Sequence, residues 1–262
     1  MPFKTSVDDK NFTADIKKAI LDELDAFVEQ YRVENNIITR WKKPLIGFAG
    51  ADHSYVRGLK EIISPTHLMP EDVLEGATSV LCFFFPFEED VVKENIKGDN
   101  PSPLWATAYP ETNTMFVHMA NHIKSLIESW GYRAEVPSAI GKISEQKLYS
   151  NWSQRHFAYA AGLGTFGINN MLIGEQGCTG RYFTLVCDLP VIPDEPLKTE
   201  HCLYKREGKC LACVKRCPVG ALSPDGFDRE KCFARVKENS KQWGNTICGK
   251  CSVGMPCSFK RP

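Results

Sequence analysis

Apolar and polar positions alternate along the first three-quarters of the chain in patterns that predict both helices and strands. A helix is predicted from Thr13 to about Val33, because apolar residues recur there at helical spacing and Thr13 and Asp15 can cap its start. Continuous apolar runs predict buried strands over 44–50, 79–85 and 182–187. A short helix is predicted over 69–74, with Pro70 in its first turn.

The middle of the chain is less regular. Residues 87–108 are polar and lack periodicity, which predicts a long loop outside the core. Helices are predicted over 111–130 and over about 144–161, and glycines end both; residues 132–136 can return as a strand. No repeat with a period of 20 to 50 residues appears, so the alternation predicts an α/β or α+β sandwich.

Three prolines stiffen residues 190–196, where we predict a linker between two domains. The first domain would span residues 1–190, and a smaller, cysteine-rich domain would span residues 197–262. A chain of 262 residues is long enough for this division.

Charge narrows the range of partners. The 32 basic and 32 acidic residues balance, and no block of like charge suggests a strong nucleic-acid or membrane-surface binder. The first twenty residues show no apolar signal core and no twin arginine, and no apolar run is long enough for a membrane span. We therefore expect a cytoplasmic protein without a membrane partner, acting on a small molecule or a redox protein.

Cysteine content points to the chemistry. Eleven cysteines are present, and eight of them crowd into the last part of the chain in two groups of four. The spacings are Cys202-x7-Cys210-x2-Cys213-x3-Cys217-Pro and Cys232-x15-Cys248-x2-Cys251-x5-Cys257. In a reducing cytosol such spacing indicates metal binding, and the Cys-x2-Cys-x3-Cys-Pro run is typical of proteins with two [4Fe-4S] clusters.

In two-cluster ferredoxins the last cysteine of each motif ligates the other cluster. This exchange predicts one cluster on Cys202, Cys210, Cys213 and Cys257, and another on Cys217, Cys232, Cys248 and Cys251. Two structural zinc sites are the alternative, since paired Cys-x2-Cys units also occur in zinc ribbons. Cys82 and Cys187 are interpreted as core residues, and Cys178 as a thiol that binds no metal.

Two further stretches carry a resemblance to a known family. The residues Arg155-His-Phe-Ala-Tyr-Ala-Ala-Gly-Leu-Gly-Thr-Phe-Gly-Ile-Asn-Asn170 and Leu172-Ile-Gly-Glu-Gln-Gly177, followed by the cysteine motifs, resemble epoxyqueuosine reductases and the related corrinoid-dependent reductive dehalogenases. The resemblance implies an α+β fold, with a nitroreductase-like domain that binds cobalamin and a ferredoxin-like domain whose two clusters supply electrons. It also implies a set of cofactor-binding residues: Arg155, Tyr159, Gly162, Gly164, Thr165, Gly167, Asn169 and Asn170.

The glycines of this motif have two explanations. Glycines after a helix allow positive φ and close approach of the backbone to a flat or anionic ligand. An ordinary helix C-cap and turn explain Gly162 equally well. His156 is interpreted as structural more readily than as a cobalt ligand.

The chain departs from the epoxyqueuosine reductase pattern at several positions. Pro137 stands where that family carries a catalytic aspartate, Ile168 stands where a lysine often follows the glycine turn, and no helical-repeat extension precedes the end at Pro262. From these departures we do not expect tRNA to be a partner. Four residues are candidate proton donors by position alone: Tyr109, Glu135, Tyr149 and His156.

The sequence thus predicts an iron-sulfur oxidoreductase that takes electrons from a ferredoxin or flavodoxin and passes them to a corrinoid or small-molecule substrate. In one variant the corrinoid is itself the substrate. The alternative is a non-catalytic electron carrier whose cofactor domain is degenerate. A homodimer is also predicted, because nitroreductase-like folds commonly form one.

Overall fold

The computed structural model describes residues 10–138, 143–144 and 148–262, which form a mixture of helices and strands. Its helices are α1 Lys10–Glu34, α2 Ser54–Arg57, α3 Leu59–Ile62, α4 Pro70–Val73, α5 Glu89–Glu94, α6 Pro103–Ser129, α7 Gln154–Ala160, α8 Leu203–Glu207, α9 Ala212–Arg216 and α10 Arg229–Trp243. Its strands are β1 Leu45–Gly50, β2 Ser79–Pro86, β3 Ala134–Glu135, β4 Ile143–Ser144, β5 Tyr149–Ser150, β6 Thr165–Phe166, β7 Leu172–Ile173, β8 Gly180–Cys187, β9 Leu222–Ser223 and β10 Gly226–Phe227.

A four-stranded sheet in the order β1-β2-β8-β3 organises the larger part of the fold. All of its neighbouring strands run antiparallel, which makes the fold α+β. Strand β2 lies between β1 and β8, and every one of its residues is buried. This confirms the prediction of a central strand covered on both faces.

Helices cover both faces of this sheet. On one face, Ile16 and Ile20 of α1 and Met119 and Ile123 of α6 pack against the phenylalanines of β2 and β8. On the other face, Phe157 of α7 and nearby side chains form a second apolar cluster. Burial of these two clusters provides the main driving force for the three-layer arrangement.

Two helix starts differ from the prediction. Helix α1 begins at Lys10, and Thr13 does not cap it; the Thr13 hydroxyl accepts a hydrogen bond from the backbone N–H of Ile192 at 2.9 Å. Residues 87–108 are not a plain loop, because they contain α5 and the first turns of α6. Ser102 caps α6 by accepting the N–H of Trp105, and the helix continues through Pro110, which sequence reasoning had treated as outside it.

The helix predicted over 144–161 is wrong in its first half. Only residues 154–160 are helical, while β4 pairs with β5 as a hairpin; residues 145–147 lie outside the described chain. A turn held by the Ser150 hydroxyl, which donates to the carbonyl of Trp152, separates the hairpin from α7. The buried Trp152 indole donates to the Thr184 hydroxyl at 2.8 Å, so a tertiary contact overrides the local helical pattern. The predicted stop is confirmed, since Gly162 follows α7 with φ of 68°.

The proline-rich segment 190–196 lies against the sheet. Asp194 accepts the backbone N–H of Phe48 at 2.8 Å and the ammonium of Lys17 at 2.5 Å. Beyond it, α8, α9, the β9–β10 hairpin and α10 hold the cysteine-rich region. The division into two domains stays a prediction. Within the described residues, no helix combines the length and the apolar character needed to cross a bilayer.

Candidate metal centre and adjoining clefts

Four cysteines line one small cavity of about 20 Å³. Cys202 precedes α8, Cys210 lies between α8 and α9, Cys213 is within α9, and Cys257 lies near the end of the chain. We call these four the first quartet. The rest of the cavity wall is largely apolar, and Cys210 has φ of 79°, a backbone angle that side chains rarely adopt and that often marks functional sites.

The other four cysteines interact with one another and form the second quartet: Cys217, Cys232, Cys248 and Cys251. Burial raises the pKa of Cys232 to about 11, and the charges of Cys248 and Cys217 contribute to that shift. Burial, followed by the charges of Cys248, Cys232 and Cys217, raises the pKa of Cys251. These charge effects link the four thiols of the second quartet, while the partition of the eight cysteines between two clusters and their role as ligands stay predictions.

The spacing of these thiols bears on which metal they could hold. Among the described residues, no three histidine, cysteine or acidic side chains lie close enough to coordinate one metal ion. A zinc site needs its sulfurs at about 2.3 Å from a single ion, whereas a [4Fe-4S] cluster holds its thiolates farther apart. Four thiols around one cavity supply the donor set that a [4Fe-4S] cluster needs, and the presence of the cluster stays a prediction.

Cys178, predicted to bind no metal, lies beside the first quartet. Its Sγ is 4.0 Å from the Sγ of Cys257, and its backbone N–H donates to the Cys257 carbonyl at 2.9 Å. The hydrogen bond to Cys257, followed by burial, raises the pKa of the Cys178 thiol. Sequence spacing gave no sign of this proximity. Cys82 and Cys187 lie in the sheet core as predicted.

Packing within the chain accounts for the glycine motif. A Cβ at Gly162 would come within 2.6 Å of the Glu195 carbonyl oxygen, and one at Gly164 within 2.5 Å of the Ile173 carbonyl oxygen. A Cβ at Gly167 would meet the Asn169 side chain at 2.6 Å. These close approaches are to protein atoms, which favours the helix-cap and turn explanation over a ligand cradle.

Other residues of the motif also serve internal contacts. The Thr165 hydroxyl accepts the backbone N–H of His201 at 2.7 Å, and the ring of Tyr159 packs on Tyr55. Asn169 is buried and donates from its amide to the carbonyl of Cys251 at 3.0 Å, which ties the motif to the second quartet. Their assignment as cofactor-binding residues stays a prediction.

A cleft of about 270 Å³ brings several of the predicted site residues together. We call it the His156 cleft. The polar residues and the cysteine that line it are Tyr149, Ser150, Ser153, Arg155, His156, Asn170, Arg229 and Cys232. Ile62, Phe227, Phe233 and Val236 are among its apolar residues. One cysteine of the second quartet therefore shares a cleft with two candidate proton donors.

The electrostatics of the His156 cleft are cationic. Arg155 donates to the carbonyl of Asn170 and lies 3.6 Å from the sulfur of Met171. Arg229 lies over the ring of Tyr149, at 5.7 Å from the centroid. In the part of the chain that the structure describes, neither guanidinium pairs with a carboxylate. Burial lowers the pKa of Arg155, and a half-buried guanidinium with no carboxylate partner among the described residues favours an anionic ligand.

Burial, followed by the charge of Arg155, lowers the pKa of His156 to about 4. The imidazole is therefore neutral at physiological pH, and its Nδ1 lies 2.7 Å from the Ser153 hydroxyl. Neutral imidazole can accept or donate a hydrogen bond, but it is a poor source of a full proton at neutral pH.

Two candidate proton donors lie elsewhere. Glu135 pairs with Lys124 at 2.7 Å, and this hydrogen bond lowers the pKa of the carboxyl. Tyr109 lines a separate cleft of about 230 Å³ together with Arg181 and Cys248, and the Arg181 guanidinium lies 4.4 Å from the centre of the Tyr109 ring. We call this second space the Arg181 cleft. The structure therefore does not unite the four candidates in one site.

Sequence reasoning missed Arg229, Arg181 and Lys250. Lys250, between Cys248 and Cys251, is fully buried, and its ammonium donates to the carbonyls of Asn95 at 2.6 Å and Lys97 at 2.9 Å. Its place inside a Cys-x2-Cys loop was the available signal.

The α+β fold of this chain has counterparts among known proteins. No family model matches the chain. The similar curated proteins are epoxyqueuosine reductases, which confirms the predicted resemblance. The protein from Leadbetterella byssophila is 27% identical over 192 residues, covering 70% of this chain and 56% of the relative. The Vibrio cholerae protein is 24% identical over 207 residues, covering 73% and 52%. The chain thus spans about half the length of these relatives.

Solved structures share the fold at low sequence identity. Epoxyqueuosine reductase from Streptococcus thermophilus matches with a TM-score of 0.51 at 17% identity, over 92% of this chain and 68% of that protein. The catabolic reductive dehalogenase NpRdhA matches with a TM-score of 0.53 at 18% identity, over 83% and 30%.

The expectation that tRNA is not a partner is contradicted. Epoxyqueuosine reductase bound to a tRNA-Tyr epoxyqueuosine-modified stem loop shares this fold, with a TM-score of 0.51 at 16% identity, over 91% of this chain and 66% of that protein. The expectation rested partly on balanced overall charge. Phosphate contacts depend on local groups of basic residues, so a neutral chain can still present a site for RNA.

Proposed function

We propose that this chain is a reductase that carries electrons through two [4Fe-4S] clusters to a corrinoid or a small-molecule substrate in the His156 cleft. Similarity to epoxyqueuosine reductases supports the reductase part of the proposal. The observation that carries the rest is the position of Cys232, which lines the same cleft as Tyr149, Arg155 and His156. A nitroreductase-like first domain and a ferredoxin-like second domain are part of the same proposal.

The His156 cleft suits a corrinoid in its chemistry. Its volume of about 270 Å³ lies just below the usual range of ~300–1,000 Å³ for ligand sites, so a corrinoid would be held at its open mouth rather than enclosed. Its apolar residues suit the macrocycle, and Arg155 and Arg229 suit a phosphate or another anionic group. When bound, the cobalt would supply the bond-breaking redox chemistry that protein side chains lack.

The side chains of the cleft have separate roles in this proposal. Arg155 and Arg229 attract and orient an anionic group, because neither guanidinium pairs with a carboxylate among the described residues. Neutral His156, fixed by Ser153, offers a hydrogen bond. The phenolic hydroxyl of Tyr149 is the proton donor that we favour, since Tyr109 and Glu135 lie outside this cleft.

The alternative of a non-catalytic electron carrier is not favoured, since the curated relatives are reductases. A corrinoid that is itself the substrate stays a variant of the proposal. Because a protein of the same fold was solved with a modified tRNA stem loop, epoxyqueuosine-modified tRNA belongs among the substrates to be tested. Pro137 stands where that family has its catalytic aspartate, so this chain would need another proton donor for that reaction.

Retention of hydroxocobalamin tests the proposal. Anaerobically purified protein is mixed with hydroxocobalamin, desalted, and examined for corrinoid absorbance in addition to the broad cluster band. Val236→Trp would fill the cleft, and Val117→Trp, on the exposed surface of α6, is the matched control. We expect retention by the wild type and the control and loss in Val236→Trp. Equal retention by all three, or retention by none, would contradict corrinoid binding in this cleft.

A further inference from the structure

The segment around the first quartet is strongly basic. Between Cys202 and Cys217 the chain has five basic side chains and one carboxylate, a net charge of +4 in a protein that is neutral overall. Four of these basic residues form what we call the basic rim: Lys205, Arg206, Lys209 and Lys215. A concentration of one sign of charge in a neutral protein indicates a surface for a partner of opposite charge.

The basic rim is open to solvent and only partly neutralised. All four of its side chains belong to exposed residues. The one carboxylate, Glu207, is contacted by Arg206 at 2.9 Å and by Lys209 at 3.5 Å. Among the described residues, Lys205 and Lys215 have no carboxylate within ion-pair distance. The positive charge is therefore available to a second molecule.

The rim surrounds an apolar approach to the first quartet. Leu203, Ala212, Pro256 and Pro262 line the same cavity as Cys210 and Cys213. Arg206 donates to the Pro262 carbonyl at 3.2 Å, which brings the rim to the edge of this cavity. Lys215 lies one helical turn beyond Ala212, on the same side of α9.

We propose that the basic rim is the docking site of a flavodoxin, whose FMN approaches the first quartet over the apolar residues at its centre. This inference rests on the proposed function. A flavodoxin is acidic around an exposed, apolar flavin edge, so it complements the rim in both charge and polarity. One electron leaves the flavin hydroquinone anion, which becomes the neutral semiquinone, and the cluster charge falls by one without proton transfer.

The second quartet is a poorer entry point for this partner. Its cysteines adjoin the two clefts, and Lys250 beside them is fully buried rather than exposed. Exposed basic residues such as Lys231 also lie on α10, which carries Cys232, so charge alone does not separate the two regions. In the proposed function, however, the clefts at Cys232 and Cys248 serve the substrate, which leaves the first quartet for the electron donor. Electrons would thus enter at the first quartet and leave at the second.

Charge reversal on the full cluster-loaded protein tests the docking site. Lys205→Glu/Lys215→Glu is compared with Lys10→Glu/Lys60→Glu, a control with the same charge change at exposed positions outside the rim. The dissociation constant for flavodoxin is measured by titration, and the rate of cluster reduction by flavodoxin hydroquinone is measured by stopped flow. Both are measured at low and at high ionic strength. Dithionite, a small reductant, serves as a second control.

We expect the rim variant to bind flavodoxin about tenfold or more weakly at low ionic strength and to lose its salt dependence, while the Lys10 and Lys60 control changes less than about twofold. Lys205→Arg/Lys215→Arg should retain binding. Dithionite should reduce all variants equally. Equal weakening in rim and control variants would overturn the docking site, and charge-dependent binding of a ferredoxin alone would overturn the choice of partner.

Failure of the proposed function would give a different set of results from failure of the docking site. Flavodoxin binding that depends on the rim, in a protein without iron, would support the docking site and contradict the clusters. Normal iron content and normal reduction by dithionite, with unchanged flavodoxin binding in Lys205→Glu/Lys215→Glu, would overturn only the docking site.

Discussion

The two cysteine quartets differ in the charges that surround them. The first quartet lies in a largely apolar cavity, and its basic residues are exposed around the edge. The second quartet has cations inside the protein: Lys250 is fully buried, and the charge of Arg155 acts on Cys251 and Cys232. A buried cation stabilises an added electron more than an exposed one does, because water does not screen it.

This difference in surrounding charge predicts the direction of electron transfer between the two quartets. If both quartets hold clusters, the cluster of the second quartet should have the higher reduction potential, since nearby charges tune iron-sulfur centres. Electrons would then pass downhill from the first quartet to the second, whose Cys232 and Cys248 border the clefts.

Loss of a cysteine ligand should have the largest effect, because it should remove a whole cluster from one quartet. Cys202→Ala and Cys257→Ala should each reduce iron content from about eight to about four atoms per chain, because both residues are assigned to one cluster. The double variant should lose no more iron than either single variant, whereas Cys257→Ala/Cys251→Ala should lose nearly all of it. Additive loss in Cys202→Ala/Cys257→Ala would break the crossed assignment.

Acid should weaken the wall of the His156 cleft. Burial lowers the pKa of His67 to about 4 from 6.5, and its Nε2 accepts the backbone N–H of Ser153 at 3.0 Å. Between pH 6.5 and 4 the unfolded chain binds a proton that the folded chain does not, so the free energy of unfolding should fall by up to about 3 kcal/mol.

His67→Gln should remove about half of the pH dependence between pH 6.5 and 4 in urea denaturation followed by tryptophan fluorescence, because His156, whose pKa is also lowered to about 4, contributes the rest. His118→Gln, at an exposed position, is the control and should leave the pH dependence unchanged. An identical decrease of stability in wild type and His67→Gln would show that another group is responsible.

Removal of the buried Lys250 ammonium should narrow the difference in reduction potential between the two clusters. Lys250→Met should lower the potential of one cluster by about 50 mV, since about 1.4 kcal/mol of lost charge stabilisation corresponds to about 59 mV for one electron. Lys97→Met, at an exposed position, should shift neither potential measurably. A redox titration followed by electron paramagnetic resonance measures both clusters. Equal shifts of both potentials in Lys250→Met would contradict a charge effect confined to the second quartet.

The smallest effect is expected at Cys178. Cys178→Ser should leave iron content unchanged and shift one cluster potential by less than about 30 mV, because a hydroxyl can replace the thiol as a hydrogen-bond donor to Cys257. Cys178→Ala is the comparison without a donor. Loss of about four irons in either variant would instead make Cys178 a ligand.

Hydrophobic periodicity predicted the helices and strands correctly where no tertiary contact overrides the local pattern. The continuous apolar run of β2 identified a central strand, because only a position between two covered faces tolerates it. The start of α6 was missed because Pro110 lies inside the helix, although Ser102 and Pro103 form a good N-terminus. The helix predicted before α7 was wrong in its first half because Trp152 is buried there, and no local sequence pattern encodes that burial.

For the site, the cysteine spacing predicts the two quartets because ligand loops are local in sequence, and their role as ligands stays a prediction. The His156 cleft could be predicted only in part. Arg155, His156 and Asn170 are near one another in the sequence, but Arg229 and Tyr149 reach the cleft through long-range packing. Glu135 and Tyr109 were selected by position alone and lie elsewhere, since sequence distance does not report which side of the fold a residue occupies.

Iron and acid-labile sulfide analysis of protein purified without oxygen tests the central claim most directly. We expect about eight irons and about eight sulfides per chain, with negligible zinc. Two zinc ions per chain without sulfide, or iron far below this level in fully folded protein, would contradict it.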